Sequence, residues 1–195
     1  MKIRNKRPLI TILFATLFAF CLPSCQEDKS YSIEGTIYGG RNFEDQTIYL
    51  VPFSGGASGG VDSARIHDSR FRFDGLAEKD EICILRMRPM MRLFIDEVLL
   101  VREAGHIHVK LSEHSSASGT PLNDSLQSWR EYKQALDAQL EDIKKKMRRA
   151  TPEEHAELTA SQDSIKNLFD KRNRASAAAN GNNAFGDFLD NWIIR

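Results

Sequence analysis

The chain has 195 residues, of which 41% are hydrophobic, and its 27 Lys and Arg balance its 27 Asp and Glu. That length suits one domain, or one domain with an appendage, and the balanced charge argues against a nucleic-acid partner, which would call for a basic face. Its three cysteines, Cys21, Cys25 and Cys83, include no C-x-x-C pair.

The chain opens on Lys2, Arg4, Lys6 and Arg7, followed by an apolar run from Leu9 to Leu22 broken only by Thr11, Thr16 and Cys21. A basic start, an apolar run and a small-residue exit make a secretory signal, and the run is too short to span a bilayer as a helix, which takes about 20 residues. The exit Leu22-Pro23-Ser24-Cys25 resembles the bacterial lipobox, in which an aliphatic residue stands three before the cysteine and a small one directly before it. Cys21, preceded by Phe20, fails that pattern. The resemblance implies that residues 1–24 are removed and that Cys25 becomes the acylated first residue, with residues 25–30 as the anchor linker. Such a mature chain keeps Cys25 and Cys83, so no intramolecular disulfide can form. It carries 23 basic against 27 acidic side chains, a net charge of about −4. Glu27 and Asp28 just after the anchor resemble a surface-export signal of Bacteroidota lipoproteins. The expected place is the outer membrane, with the periplasmic and surface faces both open.

Up to about residue 118 short alternating segments follow one another: 31–37, 47–53, 62–66, 71–75, 81–87, 92–95, 98–101 and 106–111. Turn-forming residues fill most of the gaps. Short β-rich runs at this spacing predict an antiparallel sandwich or barrel over 31–118. Cys83, alone in an alternating segment, reads as a small buried hydrophobe.

From residue 119 the pattern becomes helical. Leu122, Leu126, Trp129, Leu136, Leu140, Ile143 and Met147 trace one apolar stripe. Thr120 is placed to cap, Pro121 to open and Asp124 to sit in the first turn. A second start at Thr151-Pro152-Glu153-Glu154 carries a capping box, and its stripe is read as Leu158, Ser161, Ile165, Leu168 or Phe169, then Ala175 and Ala178. Helices over Pro121–Arg149 and Pro152–Ala179 predict an antiparallel hairpin within 119–180. The basic run Lys144 to Arg149 is explained by the helix dipole and by Glu153 and Glu154 beside it. Residues 181–195 read as a short terminal helix. Its Phe185, Phe188, Leu189, Trp192 and Ile193 recur at helical spacing and need a surface to pack on, either the chain's own hairpin or a partner, a second copy included.

Three segments together resemble the domain of unknown function at the N-terminus of Bacteroidota thioredoxin-like lipoproteins. Residues 31–50 match its opening strand pair, 62–75 its next hairpin, and 119–127 its exit into helix. The hairpin turn in that family usually carries Asp-Gly, where this chain has Asp68-Ser69; losing glycine disfavours the positive φ of a primed turn. The resemblance implies envelope location, anchoring and an N-terminal β-domain. The redox chemistry of those relatives does not carry over, because the C-x-x-C motif is missing from the sequence.

Other chemistry finds little support. His106 and His108 alternate on one strand face, yet two ligands make no zinc site without a third such as His67 or His114. The glycine-rich stretch 54–60 is followed by no Lys-Ser or Lys-Thr, no serine sits in a nucleophile elbow, and Asp96-Glu97 read as turn residues. The expectation is therefore an α+β protein, non-enzymatic and without metal or cofactor. It would be anchored through Cys25 as a binding or scaffolding lipoprotein, or serve as an accessory of thiol-disulfide oxidoreductases that lacks their redox domain.

Overall fold

A computed structural model describes residues 29–38, 43–54, 61–87 and 97–194. The stretch read as a signal peptide (1–24), Cys25, most of the stretch read as an anchor linker and the strand expected at 92–95 lie outside the described residues. Among those described, eight strands run in chain order: β1 (Ser30–Ile37), β2 (Thr47–Pro52), β3 (Asp62–Arg65), β4 (Arg70–Leu76), β5 (Glu81–Arg86), β6 (Val98–Arg102), β7 (Gly105–Leu111) and β8 (Ser116–Ser118). They form two four-stranded sheets, β4-β1-β7-β8 and β3-β2-β5-β6. Helices α1 (Pro121–Met147), α2 (Pro152–Ala179) and α3 (Ala184–Phe188) follow, and a π-helical turn Leu189–Ile193 ends the described chain. The architecture is the expected α+β one, a sandwich followed by a long antiparallel helical hairpin.

Period-two alternation builds the sandwich. Ile33 and Ile37 of β1, Phe71 and Phe73 of β4, and Ile107, Val109 and Leu111 of β7 face inward. They meet Ile48 and Leu50 of β2, Cys83 and Leu85 of β5, and Val98 and Leu100 of β6. Most of the intervening residues of the first sheet, among them Glu34, Arg70, Arg72, Asp74, His106, His108 and Lys110, are exposed, while Ser32 is buried. In β5 and β6 of the second sheet the second face is apolar too, and Ile82, Leu99 and Val101 form a second core with α1, α2 and the terminal segment. β5 and β6 are thus covered on both faces, whereas the first sheet keeps one polar face. Two features depart from the sequence reading. β1 pairs β7 in parallel, from Tyr31 opposite Gly105 to Ile37 opposite Leu111. β8, a three-residue Ser-Ala-Ser strand, shows no alternation that could announce it.

The β3 to β4 connection is a two-residue primed turn in spite of its sequence. His67 and Arg70 exchange backbone hydrogen bonds of 3.0 and 2.8 Å, while Asp68 and Ser69 take φ of 50° and 59°. Left-handed backbone at a non-glycine residue costs roughly 1–2 kcal/mol. Glu44 offsets part of that by accepting the Asp68 N–H at 2.9 Å, and Ser69 O accepts the Ile37 N–H at 2.8 Å.

The join between sandwich and hairpin is polar and buried. Thr120 occupies the N-cap of α1, but its side chain does not cap; its hydroxyl instead donates to Glu103 Oε1 at 2.6 Å. The same carboxylate oxygen accepts the N–H groups of Leu122 at 2.9 Å and Asn123 at 3.0 Å, so Glu103, from the β6–β7 corner, caps the helix. The Asn123 side chain reaches back to β6, where its Oδ1 accepts the Val101 N–H at 2.9 Å and its Nδ2 donates to Val101 O at 2.7 Å. Gly119 permits this approach with φ of 105°, and a Cβ there would lie 2.6 Å from His106 O.

Thr151 and Glu154 form the expected capping box of α2. The helix buries Ile165, Asn173 and Ala177 and leaves Ala175, Ala178 and Leu168 exposed, which corrects the stripe read from sequence. Lys144 and Lys145 pair within α1, with Glu141 at 2.6 Å and Asp142 at 3.9 Å.

Asn123→Ala strips Val101 of both partners. Each buried polar group left unpaired costs on the order of 1–3 kcal/mol, so a loss of about 2–4 kcal/mol is expected. Equilibrium urea unfolding should show a lower midpoint with unchanged slope, and Lys145→Ala, at an exposed ion pair, should leave the midpoint nearly where it was.

Candidate functional site

The terminal segment and the ends of β2 and β5 enclose a groove of about 430 Å³. Its β side begins with Phe53, whose N–H donates to Ile82 O at 2.8 Å as the strand pair ends. Lys79 and Asp80 of the β4–β5 turn form one rim. The opposite wall is built by a short helix with a defined start: Asn183 caps α3 by accepting the N–H groups of Phe185 and Gly186 at 3.0 and 3.2 Å. A Cβ on Gly186 would fall 2.0 Å from Asn180 O, so glycine is what lets α3 fold back on the end of α2.

Aromatic rings anchor this wall. Phe185, Phe188 and Leu189 are buried. Phe188 meets Phe53 edge-on at 5.2 Å and Trp129 at 6.1 Å, and Trp129 also meets Phe185 at 6.2 Å. The Trp129 indole donates from Nε1 to Asn173 Oδ1 at 2.8 Å, which ties α1 to α2 inside the core. The hairpin and the second sheet therefore share one aromatic cluster with α3.

Trp192 stands apart from the buried residues of the segment. Ile194 N–H bonds to Leu189 O at 2.9 Å, the i to i+5 spacing of a π turn, which is wider than an α turn. That widening turns Trp192 off the buried stripe. The indole is 54% exposed and touches Phe53 edge-on at 5.1 Å. Ile193 is half-buried. Of the five terminal residues singled out in the sequence, three are core, one is partly covered, and Trp192 faces the groove. Phe53, Asp80 and Asp187, which complete that surface, went unnoticed because single residues at strand and turn ends carry no periodic signal. Cys25 lies outside the described residues.

The remaining chemical candidates fall elsewhere. His106 and His108 lie on the exposed face of β7, with Ser32 and Glu34 of β1 as register partners. Arg72 pairs with Glu34 on that face and with Asp74 at 2.7 Å, and its hydrogen bond to Asp74 holds that carboxyl below the usual range. His67 joins neither of the other two histidines. Its Nδ1 lies 3.2 Å from Glu44 and 3.6 Å from Asp45, all three groups exposed. Cys83 is buried between the sheets, and desolvation pushes its thiol up to about 12. It is held protonated at neutral pH, so it is no nucleophile there.

Residues 31–126 match the model of a family described as a domain of unknown function (DUF4369). The matched stretch runs from β1 into α1 and so contains the whole Glu103–Thr120–Asn123 network. Comparison with curated proteins and with solved structures finds no match.

Two outcomes follow from this geometry. Phe188→Ala should destabilise by about 3–5 kcal/mol, the range for deleting a buried aromatic, and Trp192→Ala by on the order of 1 kcal/mol because only part of the ring is covered; thermal unfolding of both variants ranks them. Because the Cys83 thiol titrates higher folded than unfolded, its stabilising share is complete below the ordinary value of 9.0 and is lost as pH rises toward about 12. Native protein at pH 8 should leave Cys83 unreacted with an aromatic disulfide reagent, and unfolding in urea should release the reaction.

Proposed function

We propose that this chain, which carries a DUF4369 domain over residues 31–126, is a lipid-anchored lipoprotein of the cell envelope whose sandwich and helical hairpin act as a non-catalytic binding or scaffolding module. The observation that carries the reading is the sequence Leu22-Pro23-Ser24-Cys25 at the end of a basic-then-apolar leader, only a few residues before β1 begins at Ser30. A secretory leader with a lipobox exit hands the chain to acylation, and two or more acyl chains hold a protein to a membrane stably, each buried methylene adding about 0.8 kcal/mol. Two further observations support the absence of thiol chemistry and the presence of a binding surface. The Cys83 thiol is buried and held protonated, and the terminal segment offers an open groove with an exposed indole at its rim.

Cys25→Ser tests the anchor. Radiolabelled palmitate should mark the wild-type chain and leave the variant unmarked, with the variant soluble or unprocessed. A variant that stayed in the membrane fraction, lost its leader and took no label would overturn the reading.

A further inference from the structure

The strand ends and the tether share one pole of the molecule. Lys29, the first described residue, accepts the Ala77 N–H at its carbonyl, 2.8 Å away, and Ser30 lies opposite Leu76 at the end of β4. Glu81 at the start of β5 lies opposite Arg102 at the end of β6, and Tyr31 lies opposite Gly105 at the start of β7. α1 also starts here, with Asn123 on Val101. It then climbs away, reaching Ser115 O with Arg130 at 2.9 Å and His114 with Gln134 at 2.8 Å. Its last turns continue past that end of the sheets, α2 returns, and the terminal segment lies back at the first pole with Trp192 against Phe53. The groove and Lys29, where the tether joins β1, are therefore neighbours: Ala77, bonded to Lys29, is two residues from Lys79 on the groove rim. The hairpin turn at 148–151 occupies the opposite end, since 27 helical residues span about 40 Å.

Cys25 precedes Lys29 by four residues, a reach of at most about 14 Å when fully extended. Resting on the proposal that Cys25 is acylated, we infer that the pole bearing Trp192 faces the anchoring membrane, that its groove receives zwitterionic phospholipid headgroups, and that the hairpin tip points away from the bilayer. The chemistry of the pole matches that occupant. An indole has an apolar body and an N–H, and settles at the depth of headgroups. Leu76, 69% exposed on the same pole, adds an apolar contact. Lys79 in the lining suits a phosphate, with Lys29 outside the groove on the same pole, while Asp80 and Asp187 suit an ammonium; Glu81, the third lining carboxylate, is already paired with Arg102. A headgroup bearing both charges fits this mixture, whereas a purely anionic one meets repulsion from the carboxylates.

The test uses the acylated full chain in vesicles of phosphatidylethanolamine and phosphatidylcholine whose acyl chains are brominated near the headgroup. Trp129, buried in the core, should keep its emission, and Trp192 should be quenched. The quenching should vanish in Trp192→Phe and weaken when phosphatidylglycerol replaces most of the zwitterionic lipid. A labelled chain that floats with the vesicles but shows no quenching would overturn the orientation while leaving the anchor intact. Quenching that persists in Trp192→Phe, or that grows with phosphatidylglycerol, would overturn the assigned occupant. Absence of both acyl label and flotation would overturn the anchor, and the orientation with it.

Discussion

Glu103 places one carboxylate oxygen among four donors: the Thr120 hydroxyl, the N–H groups of Leu122 and Asn123, and the Asn123 side-chain amide at 3.2 Å. It does so while buried, at the positive end of α1, where unsatisfied N–H groups and the helix dipole both favour an anion. A buried charge is tolerated only when its hydrogen bonds are met, and here they can be met only if the β6–β7 corner and the first turn of α1 adopt one relative position. The constraint sets the angle at which the hairpin leaves the sandwich. Everything that follows in the chain inherits that angle.

The inheritance runs through two buried amides. Asn123 presents its side chain to Val101 as a neighbouring strand would, closing the exposed edge of β6 with both a donor and an acceptor. Asn173, on α2, receives the Trp129 indole and so fixes the rotation of the second helix against the first. With both helices set, Phe185 and Phe188 find a preformed aromatic floor, and α3 can be as short as five residues because its stability comes from tertiary contact. The charged pairs along the exposed hairpin contribute little by comparison, as solvent-exposed ion pairs do.

Much of this was legible in the sequence, in proportion to how regular the signal was. Alternation in β1, β4 and β7 and the stripe from Leu122 to Met147 located the sandwich and α1, and Thr151 with Glu154 announced α2 correctly. The polar joints were not legible, since Glu103 has no local mark of being buried and acts seventeen residues away from Thr120. Asn173 illustrates the same limit: a search for apolar positions passed over a core residue that is polar, and the stripe drifted onto Ala175 and Ala178. At the chain end, α-helical spacing grouped Trp192 with Phe185, Phe188 and Leu189 and left open what would cover them; the wider π turn separates Trp192 from the others and puts it at the surface. Asp68-Ser69 adopts the primed turn that its sequence argues against, because the partners that make it tolerable, Glu44 and Ile37, come from other parts of the chain.

The parallel pairing of β1 with β7 carries a consequence for the order in which the molecule can assemble. β1 is the first of the described strands and lies inside its sheet, flanked by β4 and β7, so both neighbours are distant in sequence. Closing such long loops costs entropy before any contact rewards it, and folds dominated by non-local pairings fold slowly. β1 can pair with β4 first, but it gains its second neighbour only once the residues of β7 have been made. The first sheet is therefore completed last at its centre, by the pairing that spans the most sequence among the described strands.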